Sequence, residues 1–216
     1  MSMKGLFFVC MAAVATTPVF GASLLYQGHG SVMIESSSGT VVYIDPYVGD
    51  GYDKEADLIL VTHEHRDHNQ IGLVKQTGKT VILRSKDMLI DGKYQIKKIA
   101  DIEIEAVPAY NKNHKREECV GYIVTVDGKK CYFAGDTSTT DAMPGFKERK
   151  LDYAFLCMDG KYNMGPEEAT ECAKMIGAKH SVPYHMAPGK LFDEETAKKL
   201  KVDSLLIVPA GTEINL

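Results

Sequence analysis

Leu58-Ile59-Leu60-Val61-Thr62-His63-Glu64-His65-Arg66-Asp67-His68 is the stretch on which the reading of this chain turns. Its first part is short and almost wholly apolar, the pattern of a strand buried on both faces. Immediately after it, three imidazoles and the Asp67 carboxylate fall within residues 63–68. In an extended segment His63 and His65 point to the same side, so two rings can converge on one ion. If the chain turns into a helix near Asp67, Asp67 and His68 are redirected toward a second ion a few ångströms away. Imidazole and carboxylate suit zinc, iron or manganese. A solvated polar loop does not account for that density of ligands behind an apolar strand.

Outward from this stretch, residues 24–26, 32–35 and 41–44 read as antiparallel strands parted by Gly-rich or Ser-rich turns, with Ser38-Gly39 as one hairpin turn. A helix is expected over 69–76, then strands at 80–83, 102–107, 120–126 and 130–134, the last two joined by Asp127-Gly128. The C-terminal third reads as a strand at 151–157, a helix at 166–176, a short strand at 181–183, a helix at 193–200 and a last strand at 205–208. Strands dominate the first half and mix with helices in the second. That order predicts an α+β architecture of sheets covered by helices rather than a doubly wound parallel sheet.

The His-x-His-x-Asp-His pattern at residues 63–68 resembles the signature of the metallo-β-lactamase superfamily. Gly28-His29, Ile44-Asp45-Pro46, Ala134-Gly135-Asp136-Thr137 and Pro183-Tyr184-His185 follow in the order of its small hydrolase branch, which includes proteins similar to L-ascorbate-6-phosphate lactonase. The resemblance implies a four-layer αββα sandwich with a metal site at the sheet edges. Its implied ligands are His63, His65, Asp67, His68, Asp136 as the bridge between two ions, and His185. Asp45 is then the outer carboxylate that orients a metal-bound imidazole, and His29 either lines the pocket or is a hydrogen-bonded structural histidine.

The chain departs from that family's pattern between residues 107 and 120. Where many members place a third histidine in a Pro-Gly-His-like turn, this sequence has Pro108-Ala109-Tyr110-Asn111. The third ligand of the first ion is open: His114 swinging back, an oxygen from Asn111, or a more weakly held ion. Asn111 is also a candidate substrate contact. Lys112, Lys115 and Arg116 are either contacts for an anionic substrate group or, beside Glu117 and Glu118, a solvated charged loop.

These residues imply two divalent cations, zinc first with manganese or iron as alternatives. A water or hydroxide held by them would be the nucleophile, with Asp67 and Asp136 orienting or deprotonating it. The expected substrate is a small, anionic ester or lactone. A phosphodiesterase, and a non-catalytic metal-binding or sensory protein, are the rivals. No Gly-x-Ser-x-Gly elbow, Walker loop or dinucleotide fingerprint competes.

Composition bounds the rest. The chain has 216 residues, 44% hydrophobic and 25% charged, and a formal net charge of -4, which argues against a general nucleic-acid binder. The expected partner is a small molecule, with a homo-oligomer permitted. Lys4, an apolar run over 6–15 and the small residues Gly21 and Ala22 have the layout of a secretory signal peptide over 1–22, too short to span a bilayer comfortably. The expected domain is then 23–216, periplasmic or secreted if the leader is cleaved and cytoplasmic otherwise. Cys119, Cys131, Cys157 and Cys172 form no Cys-x-x-Cys pair and read as small buried apolar residues.

Overall fold

The computed structural model describes residues 21–216, so most of the expected leader lies outside the described residues. The first half supplies β1 (Ser23–Gly28), β2 (Ser31–Glu35), β3 (Val41–Ile44), β4 (Glu55–Val61) and β5 (Lys75–Arg84). A helical turn α1 (Ser85–Met88) and the two-residue strands β6 (Leu89–Ile90) and β7 (Lys93–Tyr94) lead into β8 (Ile96–Ile99), β9 (Ile102–Pro108), β10 (Val120–Val126) and β11 (Lys129–Phe133). The remaining elements are β12 (Tyr153–Cys157), α2 (Pro166–Ile176), β13 (His180–Tyr184), the turn α3 (Glu194–Ala197) and β14 (Thr212–Asn215).

These strands form two six-stranded sheets, in the orders β14-β1-β2-β3-β4-β5 and β13-β12-β11-β10-β9-β8. In the first, β1, β2 and β3 alternate in direction and β4 and β5 continue parallel to β3. In the second, β9, β10 and β11 alternate, and β12 and β13 continue parallel to β11. Each sheet is therefore an antiparallel meander extended by parallel strands. The two inner faces share one core that includes Tyr26, Ile44, Leu58, Tyr122, Tyr132 and Phe155.

The outer faces are covered unequally. Ala169, Cys172, Ala173 and Ile176 of α2 are buried, and α2 is capped by Pro166 at its start and by left-handed Gly177 at its end. Over the first sheet, Tyr43, Ile59 and Val61 pack against Tyr52 and Val74, so this outer layer is built from loops and a 3-10 turn (Ile71–Leu73). The fold is the α+β sandwich of the metallo-β-lactamase kind. Cys119, Cys131, Cys157 and Cys172 are free and buried, as composition suggests.

Three expected elements change. Residues 69–76 hold only the 3-10 turn before β5 begins at Lys75: Gly72 interrupts the helical pattern, and parallel pairing of β5 with β4 claims the backbone groups that follow. The helix expected over 193–200 is the single turn α3, capped by the Asp193 carboxylate accepting from the Thr196 N–H. The last strand is Thr212–Asn215, paired with β1, while residues 205–208 make only the bridge from Leu205 to Ser181.

Candidate metal centre

The chemistry-bearing residues leave the ends of strands that run in one direction. Asp45 follows β3, His63 to His68 follow β4, and His29 follows β1; in the other sheet Asp136 follows β11 and His185 follows β13. Clefts at strand carboxyl ends collect ligands in open sheets of this kind, and the sandwich brings two such edges together. Their closeness is visible at Gly135, whose φ is 62° and where a Cβ would stand 3.1 Å from the Thr62 Cβ. A side chain there would force the edges apart. The sheets are further tied by the Val120 N–H donating to the Thr62 carbonyl at 3.0 Å and the Tyr122 hydroxyl donating to the Val61 carbonyl at 2.9 Å.

Asp136 is the hub. Its Oδ1 lies 3.2 Å from His68 Nε2 and 3.3 Å from His185 Nε2, and its Oδ2 lies 3.2 Å from His114 Nε2 and 4.0 Å from His63 Nε2. His65 Nδ1 is 3.2 Å from His114 Nε2. Three donor groups result: His63, His65 and His114; His63, His68 and Asp136; and Asp67, His68 and His185 with His29. The structure thus brings all seven expected ligands together, with His114 Nε2 in the cluster and Asn111 placed behind it against His114 Nδ1.

Burial makes these contacts consequential. His63 Nε2, His68 Nε2, His185 Nε2 and Asp136 Oδ1 are buried without a hydrogen-bond partner among the described residues, and orphaned polar atoms of this kind are costly. They converge on a common region, and the donor set is the one borderline divalent cations take. The residues therefore fit metal ions.

Charges follow the same geometry. Burial, then the neighbouring His68, hold the His63 imidazole well below its ordinary pKa. Burial also opposes charge on His68, but Asp136 and Asp45 outweigh it and raise that ring well above its ordinary value. His185 behaves likewise: against burial, Asp136, Asp159 and Asp67 push it up to about 9. Asp136 is depressed well below the carboxylate range because His185 and His68 overcome its burial.

The outer residues hold this centre in place. Asp45 Oδ2 accepts from His68 Nδ1 at 2.8 Å. His29 is 1% exposed, with Nε2 3.1 Å from Asp67 Oδ2 and Nδ1 3.3 Å from the Lys190 carbonyl, so it is held within the centre's wall. Asn111, expected from sequence to face substrate, is instead fully engaged. Its Oδ1 contacts His114 Nδ1 at 2.9 Å and accepts the Asn113 N–H at 2.8 Å, while Nδ2 donates to Tyr162 and Asn163. Lys115 pairs with Glu118 and Arg116 with Asp141, making them part of a charged loop rather than cations facing the centre.

From sequence the stretch 159–164 reads as a further pocket wall, with no chemistry assigned to Asp159. Its Oδ2 lies 3.2 Å from His185 Nδ1, and its Oδ1 accepts the Lys161 and Tyr162 N–H groups at 2.8 and 2.7 Å. An Asp at the head of a turn was the only local signal, and it points to backbone capping; the contact with His185 is made across 26 residues of chain.

Two sheets meeting edge to edge over a buried His/Asp cluster define the metal-binding class of this sandwich. Comparison with known sequences makes that specific: the β-lactamase superfamily domain matches residues 23–185, and the chain belongs to that superfamily. A UPF0173 metal-dependent hydrolase of Thermococcus kodakarensis is 30% identical, covering 88% of this chain and 98% of its own. A crystal structure from Parabacteroides distasonis, classed with the metal-dependent hydrolases, is 32% identical with a TM-score of 0.70, covering 85% of this chain and 90% of its own. A metallo hydrolase from Ignicoccus hospitalis, 22% identical over 90% of this chain and 98% of its own, shares the fold with a TM-score of 0.70. The protein is a metal-dependent hydrolase. Among the described residues no helix is long and apolar enough to cross a membrane.

Proposed function

We propose that this hydrolase cleaves a small, anionic ester or lactone at a centre of two divalent cations, zinc in the first place. The observation that carries the reading is the set of unpartnered nitrogens gathered around Asp136 at the foot of a cleft of about 440 Å³. That volume suits a small molecule. His63, His65 and His114 would hold one cation, Asp67, His68 and His185 the other, and Asp136 both.

When bound, such cations lower the pKa of water and polarise a scissile carbonyl. The chain's own residues do the rest. Asp136, its side chain 5% exposed, is enclosed by imidazoles and is placed to bridge rather than to meet substrate. Asp67, with 38% of its side chain exposed, is the carboxylate that reaches the cleft. Its charge is maintained because contacts from His185 and His29 outweigh burial and depress its pKa. An ionised carboxylate at the cleft is placed to orient a water and accept its proton. The adjoining cavity is lined by Lys86 and Lys115 with Glu64, Glu117 and Glu118; Glu64 and Lys115 are paired, and Lys86, with no ion pair among the described residues, is the cation there that an anionic substrate group could meet.

The test is turnover of the zinc-, manganese- and iron-loaded protein on panels of carboxylic esters, lactones and phosphodiesters. Turnover of esters or lactones supports the proposal. Turnover confined to phosphodiesters would replace the substrate class, and none on any panel with two ions bound would favour a non-catalytic metal protein.

A further inference from the structure

His114 and His185 stand on opposite sides of Asp136, and outside the centre a line of side chains runs from one to the other. His114 Nδ1 meets Asn111 Oδ1 at 2.9 Å, Asn111 Nδ2 donates to Asn163 Oδ1 at 3.0 Å, and Asn163 Nδ2 donates to Asp159 Oδ2 at 2.7 Å. That same Asp159 oxygen lies 3.2 Å from His185 Nδ1.

The donor and acceptor at each step are forced. A backbone N–H can only donate, so the atom of Asn111 that receives the Asn113 N–H at 2.8 Å is its oxygen. His114 Nδ1 beside that oxygen must then carry a proton, with Nε2 facing Asp136. At the other end an ionised carboxylate only accepts, so Asn163 presents its NH₂ to Asp159 and its oxygen to Asn111. Asp159, held in its turn by the Lys161 and Tyr162 N–H groups, keeps its second oxygen for Asn163 and His185. Both amides therefore have a single permitted orientation, and each enforces the other.

We propose that Asn163 is a positioning residue joining the two histidine ends of the centre, so that the orientation of His114 and of His185 is set by one line of side chains, hydrogen-bonded from His114 to Asp159 and closed by the Asp159–His185 ion-pair contact at 3.2 Å. This deepens the two-cation reading and rests on it. It also accounts for the absent Pro-Gly-His turn: here the third histidine is carried three residues beyond Asn111, on a loop closed by reciprocal backbone hydrogen bonds between Asn111 and His114, and its ring is aimed by an amide docked on the 159–163 turn. Outer partners that orient metal-bound histidines typically contribute 10- to 100-fold in metal affinity.

The experiment compares the full chain with Asn163→Ala, Asn163→Asp and the control Asn113→Ala. The control removes a different bond between the same two loops, from Asn113 Nδ2 to the Tyr162 carbonyl at 2.8 Å, and leaves the chain intact. Zinc binding is read by competition with a chromophoric chelator, and the ring nitrogens of His114 and His185 by ¹⁵N-histidine NMR of the zinc-loaded protein. Asn163→Ala should weaken zinc binding by about 10-fold or more and move the Nδ1 signals of both histidines. Asn163→Asp, which keeps the acceptor for Asn111 but sets a carboxylate against Asp159, should move His185 more than His114. Zinc binding within about threefold of the parent overturns the proposal, as does an equal loss in Asn113→Ala, or movement of His185 alone in Asn163→Ala. Failure to bind a second zinc in the parent protein would instead remove the two-cation reading, leaving the histidine signals to decide the chain by themselves.

Discussion

Asp45 and His68 are joined at 2.8 Å between Oδ2 and Nδ1, and the same carboxylate fixes His63 at one remove. Its Oδ1 accepts the Thr62 N–H at 2.7 Å and its Oδ2 the Thr62 hydroxyl at 2.6 Å. With its proton committed to Asp45, that hydroxyl can only accept from His63 Nδ1, 3.0 Å away. One buried carboxylate thus sets two rings with Nδ1–H outward and Nε2 facing Asp136.

Replacing Asp45 by Asn should therefore act on two histidines at once. The amide NH₂ competes for the position opposite His68 Nδ1 and favours the wrong tautomer, so zinc affinity should fall by about 10- to 100-fold in chelator competition. Asp45→Ala should in addition leave the buried Thr62 N–H unmatched and lower unfolding free energy by about 1–3 kcal/mol in denaturant titrations. Unaltered zinc affinity in the Asn variant would show that Asp45 serves the fold alone.

The charge on His185 predicts how the metal-free protein responds to pH. A histidine raised to about 9 in the folded chain, against about 6.5 unfolded, contributes stability that is fully present below about pH 6.5 and lost as pH rises through about 9. Chelator-treated protein should thus lose stability across that window in thermal melts. Metal uptake requires the proton to leave His185, so zinc affinity should rise over the same interval, with proton release measurable in weakly buffered solution. A pH-independent zinc affinity between 6.5 and 9 would contradict the protonation assigned to the free centre.

Gly30 offers a steric probe of His68. A Cβ there would lie 3.1 Å from His68 Cε1 and 3.4 Å from its Nδ1, so Gly30→Ala should displace the ring by a few tenths of an ångström while the backbone, not left-handed at this glycine, needs no change. Zinc affinity should fall about 10-fold, as for loss of an orienting partner, with stability altered by less than about 1 kcal/mol. Equal zinc affinity in the two proteins would mean that the site has slack at His68.

How far the sequence foretold this centre depends on the range of the contact. His63 to His68 were legible because strand, turn and ligands lie in one uninterrupted segment, whereas Asp45, Asp136 and His185 were legible only through the order of motifs in the family resemblance. Asp159 was not legible, since its neighbours within four residues explain it completely as a turn former. The role of Asn111 also depends on a partner 52 residues away. In the fold, β14 was missed because the residues at 212–215 are only alternately half-buried and gain their strand conformation from pairing with β1. The apolar run just before it, at 205–208, looked the better strand but finds only a single bridge.

Asp67 and Asp136 are chemically alike and both lie beside His185, at 3.8 and 3.3 Å from its Nε2, yet their exposure separates them. Both line the cleft, but Asp136 is nearly enclosed while Asp67 opens on it, which places Asp67 to exchange a proton with a water there. Asp67→Asn keeps an oxygen for a cation and the contact with His29 but removes the basic site. It should retain two zinc ions under saturating metal and leave KM nearly unchanged, while kcat falls by about 10²- to 10⁴-fold, the usual contribution of a positioned general base. Asp136→Asn, by contrast, should lower metal occupancy first and activity as a consequence, so that excess zinc restores part of the loss. Steady-state kinetics with metal analysis on the same samples distinguish the two: full activity in metal-saturated Asp67→Asn would remove Asp67 from proton transfer and leave it as a cation holder alone.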